Sequence, residues 1–147
     1  MERDRITSGN RNFLPSTSGT AAVEFAIIAP LFIFLILGMI AYGIYFGAAH
    51  SVQQIAADAA RTAIAGLDET ERKTLAQNFI DTNADGYVFI EADKLEVEVN
   101  DNPDDGQQFV VSVQYDAVNL PIWRFLTRLP LPGTTISRSS TIRIGGI

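Results

Sequence analysis

Residues 25–46 read FAIIAPLFIFLILGMIAYGIYF and contain no charged side chain. A helix rises about 1.5 Å per residue, so 22 residues would cross a hydrocarbon core about 30 Å thick. A helix buried in a soluble protein would carry a polar stripe, and this segment has none. Tyr42 and Tyr45 near its end suit a membrane–water interface. The segment therefore predicts one membrane-spanning helix, which Pro30 would kink without ending it.

Charge is divided unevenly along the 147-residue chain, which has a formal net charge of −6. Residues 58–147 hold 14 acidic and 8 basic side chains, which accounts for the whole imbalance. An acidic domain repels phosphate backbones, so nucleic acid is not an expected partner. Without cysteine, and with His50 as its single histidine, the chain can form neither disulfides nor a multi-histidine centre. With no nucleophile–base pair or phosphate loop in the sequence, we expect no enzymatic activity.

Basic residues on either side of the apolar segment predict its orientation. Arg3, Arg5 and Arg11 precede it, whereas only Arg61 lies within about fifteen residues after it. Because bases are retained on the cytoplasmic side, we expect a cytoplasmic N-terminus and a periplasmic C-terminal domain at a bacterial inner membrane. A cleaved secretory signal is the alternative, but its apolar core would exceed the usual length of about 7–15 residues.

Glu24 directly precedes the apolar segment, within the sequence SGTAAVEF of residues 18–25. An unpaired carboxylate at the edge of the hydrocarbon core is costly. At the level of the lipid headgroups, and near a helix N-terminus, it would instead be mildly favourable. On its own, Glu24 is thus best interpreted as an ordinary interfacial residue.

The wider context of Glu24 favours a second interpretation. A small residue, a glutamate five positions later and an unbroken apolar helix form the arrangement of class III signal peptides, which are cut before the retained helix. Over roughly residues 18–66 the sequence closely resembles the TadE-like family of the tight-adherence pilus apparatus. The resemblance implies a minor pilin or pseudopilin, cut by a prepilin peptidase between Gly19 and Thr20. Glu24 would then be the fifth residue of the mature chain, followed by Phe25.

The resemblance also implies partners for the mature protein. These are the inner membrane, the prepilin peptidase, other pilins or pseudopilins, and the pilus assembly platform. Glu24 would pair with the N-terminal ammonium of a neighbouring subunit, where the two charges offset each other's desolvation. The leader departs from the family pattern because it is 19 residues long and contains Glu2 and Asp4. An uncleaved single-pass membrane adaptor or sensor is therefore the alternative, and cleavage after Gly19 distinguishes the two.

The spacing of apolar residues predicts that the helix continues beyond the membrane towards Gly66. One narrow, alanine-rich face is suited to close packing, and Asp58 and Arg61 can form an ion pair three residues apart. The apolar residues on this face are Val52, Ile55, Ala56, Ala59 and Ala63. Small residues four apart predict a second packing face, as in membrane helix pairs. These small residues are Gly43, Gly47 and Ser51.

The remaining sequence predicts an α+β domain with a second helix and a three-stranded antiparallel sheet. Asp68 and Glu71 form a capping box at the start of the helix, whose buried side would be Leu75, Ala76, Phe79 and Ile80. Alternating apolar residues predict strands over 95–99 and 109–115, and a more polar third strand over 134–144. We thus expect a leader over 1–19, a transmembrane and extended helix over 20–66, and a small periplasmic domain over 67–147.

Two further segments have competing interpretations. Residues 120–133, LPIWRFLTRLPLPG, either cover the sheet or contact a partner or membrane through Trp123. Asp81, Asn83 and Asp85, followed by Gly86, match the first half of an EF-hand loop. Position 12 of such a loop requires a bidentate glutamate, and the chain has alanine there. We therefore expect no cofactor, with calcium at this loop as the alternative to an ordinary turn.

Overall fold

The computed structural model describes residues 17–125 and 132–144. They fall into two compact units, which meet in the sequence between Leu35 and Ile36. The first helix, α1 (Thr17–Ala63), includes residues of both units and stays helical through Pro30. The predicted leader lies outside the described residues except for its last three positions.

The first unit consists of the exposed apolar part of α1. From Gly19 to Leu35 every side chain is exposed, except that Ala29 is half-buried. In the described residues, one helix is long and apolar enough to cross a membrane, judged by length and composition. Its mean hydropathy reaches 2.6. Large exposed apolar side chains in water would be unfavourable, so this helix fits a single-pass membrane protein.

The second unit contains a three-stranded antiparallel sheet in the order β1-β2-β3. Its strands are β1 (Leu95–Asp101), β2 (Gln108–Asp116) and β3 (Thr135–Arg143). Val97 of β1 lies opposite Val113 of β2, and Val113 lies opposite Arg138 of β3. The predicted α+β fold and its antiparallel meander are confirmed.

One face of this sheet packs into a single core with α1 and the second helix, α2 (Glu69–Asn83). The predicted apolar face of α1, from Val52 to Ala63, is fully buried in this core. The alternation in β2 buries its four predicted residues, Phe109, Val111, Val113 and Tyr115. The C-terminal part of α1 therefore belongs to the same folded unit as the sheet. That unit begins at Ile36.

The helix α2 begins at the predicted cap. The Asp68 side chain accepts a hydrogen bond from the Glu71 amide at 2.8 Å, and the Glu71 carboxylate accepts one from the Leu67 amide. Its buried side differs in part from the prediction, because Arg72 is buried together with Ala76 and Ile80. The two other predicted core residues, Leu75 and Phe79, are only half-buried.

Arg72 tolerates burial because its guanidinium group is both ion-paired and hydrogen-bonded. Nη1 contacts the Asp101 carboxylate at 2.6 Å, and Nε donates to the Gly66 carbonyl at 3.2 Å. The guanidinium carbon also lies 5.1 Å from the centre of the Phe109 ring, a cation–π geometry. A paired and hydrogen-bonded charge avoids most of the desolvation penalty of burial.

The short helix α3 (Ile122–Phe125) begins the segment predicted either to cover the sheet or to contact a partner. Ile122 is buried, and the Trp123 indole donates to the Ala117 carbonyl at 2.5 Å while packing against the core. These contacts favour the covering role for the described part of the segment. Residues 126–131 of the predicted element lie outside the described residues.

Candidate functional site

The residues of the predicted processing site lie in the first turns of α1. Gly19, Thr20, Glu24 and Phe25 are all helical and exposed, and the Phe25 side chain is 71% exposed. Thr20 and Glu24 are four residues apart, so their side chains lie on the same face of the helix. Within the described part of the chain, Glu24 forms no ion pair or hydrogen bond.

Among the described residues, Glu24 is therefore a carboxylate with no partner of opposite charge. Its neighbours towards the C-terminus are exposed apolar side chains, beginning with Phe25. A carboxylate becomes costly when such a surface is desolvated, unless an opposite charge arrives with the new partner. The assignments of Gly19, Thr20, Glu24 and Phe25 to processing and assembly stay predictions, and the exposed geometry is compatible with both roles.

The three small residues predicted to pack another helix have different surroundings. A Cβ atom on Gly43 would meet no heavy atom within 4 Å. A Cβ on Gly47 would lie 3.0 Å from Cε2 of Phe89, and the Ser51 hydroxyl donates to the Val88 carbonyl at 2.8 Å. A loop of the same chain thus packs against Gly47 and Ser51. Packing of another helix at this stripe stays a prediction, for which Gly43 offers the open surface.

Sequence reasoning missed the contact between α1 and the loop of residues 87–90, here called the 87–90 loop. Phe89 has a backbone φ of 63°, which places a bulky residue in the left-handed region. Neither this conformation nor a contact across 42 positions has a periodic signal in the sequence. The small size of Gly47 is the one feature that indicates a close approach at this point.

Asp58 connects α1 to the start of the 87–90 loop. Its carboxylate accepts hydrogen bonds from Arg61, as the sequence predicted, and from the Tyr87 hydroxyl at 2.7 Å. Burial, followed by the hydrogen bond to Asp58, raises the pKa of Tyr87 from 10.0 to about 12. Burial disfavours the charged phenolate, and deprotonation of Tyr87 would also remove the hydrogen bond and place two negative charges side by side, so all of these effects raise the pKa.

This raised pKa predicts a loss of stability at high pH. The unfolded phenol releases its proton near pH 10, whereas the folded phenol keeps it up to about pH 12. The contribution of Tyr87 to stability is thus complete below pH 10 and is lost as the pH rises through 12. We expect Tyr87→Phe to lose about 1 kcal/mol near neutral pH, from the missing hydrogen bond. The difference between the two proteins should shrink above pH 10.

Chemical unfolding of both full-length proteins in detergent, from neutral pH upwards, measures this effect. Burial also raises the pKa of Tyr115, but that residue is present in both proteins and cancels in the comparison. If the difference in unfolding free energy between wild type and Tyr87→Phe stayed the same at every pH, the raised pKa of Tyr87 would be contradicted.

The three side chains predicted to bind calcium each form a hydrogen bond with a different group of the chain. Asp81 accepts from Gln77, Asn83 donates to the Phe79 carbonyl, and Asp85 accepts from the Ala92 amide. Asp81 and Asn83 still belong to α2, and the 3₁₀ turn that follows begins at Ala84. Across the described residues, no group of three or more acidic or histidine side chains is placed to hold a metal ion. This geometry favours an ordinary helix-ending turn, and calcium binding stays a prediction.

Comparison with known proteins bears on the same helix. Residues 19–61 match the TadE-like protein family. The family resemblance seen in the sequence is thereby confirmed over these residues. No curated protein and no solved structure is significantly similar to the chain.

The TadE-like segment covers 43 of the 147 residues and lies entirely within α1. It begins at Gly19, the residue predicted to precede the cut, and runs through the exposed apolar helix into the buried alanine-rich face. The match suggests a protein associated with the tight-adherence pilus. The TadE-like family is a family of pilus components and is not known to be enzymatic.

Proposed function

We propose that this protein is a minor pilin or pseudopilin that takes part in assembly of a tight-adherence pilus. The observation that carries the proposal is the TadE-like match over residues 19–61, which coincides with an exposed apolar helix. A prepilin peptidase cuts the chain between Gly19 and Thr20, and the helix is retained as the new N-terminus. The protein is held in a bacterial inner membrane with its N-terminus in the cytoplasm and its C-terminal domain in the periplasm.

The exposed surface of α1 supports a role in assembly. Between Phe25 and Leu35 its large apolar side chains are more than half exposed. Lipid covers such a helix in the membrane, and neighbouring helices can cover it equally well in a pilus. The core of the sheet domain includes α1 side chains from Ala41 onwards, whereas the exposed apolar side chains of residues 25–35 lie outside it. Exchange of lipid for helices along residues 25–35 therefore leaves the domain folded.

The carboxylate of Glu24 gives this assembly a specific electrostatic contact. After cleavage Thr20 carries a new ammonium group, and Glu24 has no partner in the described part of its own chain. Contact between Glu24 of one subunit and Thr20 of another neutralises both charges where the apolar surfaces meet. The other partners are the assembly platform and further pilins or pseudopilins.

We expect Glu24→Gln to be processed normally but to associate weakly with other pilus subunits. The substitution keeps the shape of the side chain and leaves the ammonium group unpaired, which costs about 1–3 kcal/mol. That corresponds to an association about 5- to 150-fold weaker. Co-purification of pilus components with the mature protein from its native membrane measures the effect.

Glu96→Gln is the matched control, because Glu96 is an exposed acid on β1, far along the chain from the processed end. It should retain normal co-purification. If Glu24→Gln retains its partners as fully as Glu96→Gln does, the pairing role of Glu24 is wrong. An uncleaved membrane adaptor, the second candidate, would show no dependence on Glu24 and would keep its leader.

A further inference from the structure

The 87–90 loop exposes large apolar side chains beside the end of the apolar sequence of α1. Val88 is 62% exposed and Phe89 is 45% exposed. The Phe89 ring contacts α1 at Gly47, directly after Phe46, which is itself 62% exposed. Exposed apolar side chains therefore cluster where the charge-free segment of residues 25–46 ends.

The loop is fixed so that it presents these two side chains outwards. On one side the Tyr87 hydroxyl is bonded to Asp58, and on the other side Ile90 is buried. The Ser51 hydroxyl holds the Val88 carbonyl, so the Val88 backbone lies against α1. Between these anchors Phe89 keeps a φ of 63°, a conformation that costs a bulky residue free energy. The surrounding contacts thus impose a strained turn whose effect is to display Val88 and Phe89.

The depth of the loop follows from its contact with α1. Tyr42, Tyr45 and Phe46 form a row of aromatic rings, with both ring pairs 6.1 Å apart between centroids. Aromatic side chains concentrate at the membrane–water interface. With residues 25–46 in the membrane, Gly47 lies at that interface. A loop that touches Gly47 and Ser51 lies at the same depth as they do.

We propose that Val88 and Phe89 insert into the lipid interface beside α1 and hold the soluble domain against the bilayer. Lipid is the occupant because the exposed apolar cluster is continuous with the apolar helix itself. The neighbouring acids do not oppose this contact. Asp85 accepts from the Ala92 amide and Glu91 accepts from the Asn119 side chain, so both are directed to their own chain.

This inference depends on the single-pass topology and not on a role in a pilus. It also holds for either orientation, because the loop meets whichever leaflet lies on the side of the domain. An acidic domain is not attracted to anionic lipid. The contact therefore depends on the apolar side chains and requires no anionic lipid. The consequence is a domain with a fixed tilt relative to the membrane, held at two points instead of one.

The absence of cysteine from the chain permits a direct test by spin labelling. A nitroxide is attached to Val88→Cys in the full-length protein, which is reconstituted in phosphatidylcholine vesicles. Collision with oxygen, which concentrates in lipid, is compared with collision with a water-soluble nickel complex. Leu67→Cys is the matched control: Leu67 is 89% exposed and follows the far end of α1. Ala63 is 16 residues beyond Gly47, about 24 Å along the helix. Phe34→Cys gives the reference value for lipid.

The proposal predicts an oxygen-to-nickel collision ratio at Val88→Cys several-fold above that at Leu67→Cys and shifted towards the Phe34→Cys value. Equal ratios at positions 88 and 67 would show that the loop faces water and would overturn the proposal. Low collision with both reagents at Val88→Cys would show that protein, such as a second copy of this chain, covers the loop. That result would overturn it as well. A water-like ratio at Phe34→Cys would contradict the membrane topology itself.

Discussion

Gly19→Leu is expected to leave residues 1–19 attached to the protein. A peptidase that cuts at the membrane surface must admit the backbone on both sides of the bond, and a glycine before the bond leaves that approach open. A leucine adds four carbon atoms there, and a misfit of this size costs about 1–3 kcal/mol. Cleavage should slow by about 5- to 150-fold. Intact-mass measurement on membrane-extracted protein, at fixed times after induction in the native cell, gives the processed fraction.

Gly19→Ala is the matched control for this experiment, because alanine adds a single methyl group and should be processed at close to the wild-type rate. Both variants change the same exposed position of α1, so an effect on helix stability would appear in both. Equal processing of Gly19→Leu and wild type would show that the peptidase does not act at this bond. Failure of both variants to be processed would show a requirement for glycine itself.

Gly66→Ala is expected to destabilise the second compact unit. A Cβ atom at this position would lie 2.7 Å from the backbone nitrogen of Arg72 and 2.8 Å from its Cγ. Because a backbone atom of α2 cannot yield locally, the chain between α1 and α2 must move. That movement also strains the hydrogen bond from Arg72 Nε to the Gly66 carbonyl. Overpacking and a weakened buried hydrogen bond together cost about 2–4 kcal/mol.

Thermal unfolding in detergent measures this loss, since each kcal/mol lowers Tm by about 4–8 °C in a unit of this size. Gly86→Ala is the matched control: a Cβ there would meet nothing within 4 Å. Its free energy of unfolding should stay within the range of neutral surface substitutions, about ±0.5 kcal/mol, so its Tm should lie within about 4 °C of the wild-type value. Similar Tm values for the two alanine variants would contradict the close approach of Gly66 and Arg72.

Regular elements were predictable because each has a local pattern. The charge-free run predicted the apolar part of α1, and alternation predicted the buried faces of β1 and β2. Asp68 indicated the start of α2, because its side chain accepts a hydrogen bond from the amide of Glu71, only three residues further along the chain. Such patterns depend only on residues that are close together in the sequence, so they can be recognised in a single sequence.

Long-range contacts were not predictable, because no local pattern encodes them. Arg72 was missed as a core residue since apolar periodicity omits charged side chains, while its partner Asp101 lies 29 positions away. The spacing of Gly47 and Ser51 did not indicate that the 87–90 loop of the same chain contacts them, and their packing against another helix stays a prediction. The processing site is different again: its assignment depends on family resemblance, and the exposed geometry of Glu24 is compatible with it.

The central claim, that the chain is a processed subunit of a pilus, is tested most directly by the mass of the wild-type protein. The protein is extracted from membranes of its native cell, and its intact mass and N-terminal peptide are measured. We predict a mature chain that begins at Thr20 and retains the whole apolar helix. A protein that keeps residues 1–19 would contradict the pilin mechanism and would indicate an uncleaved membrane adaptor instead.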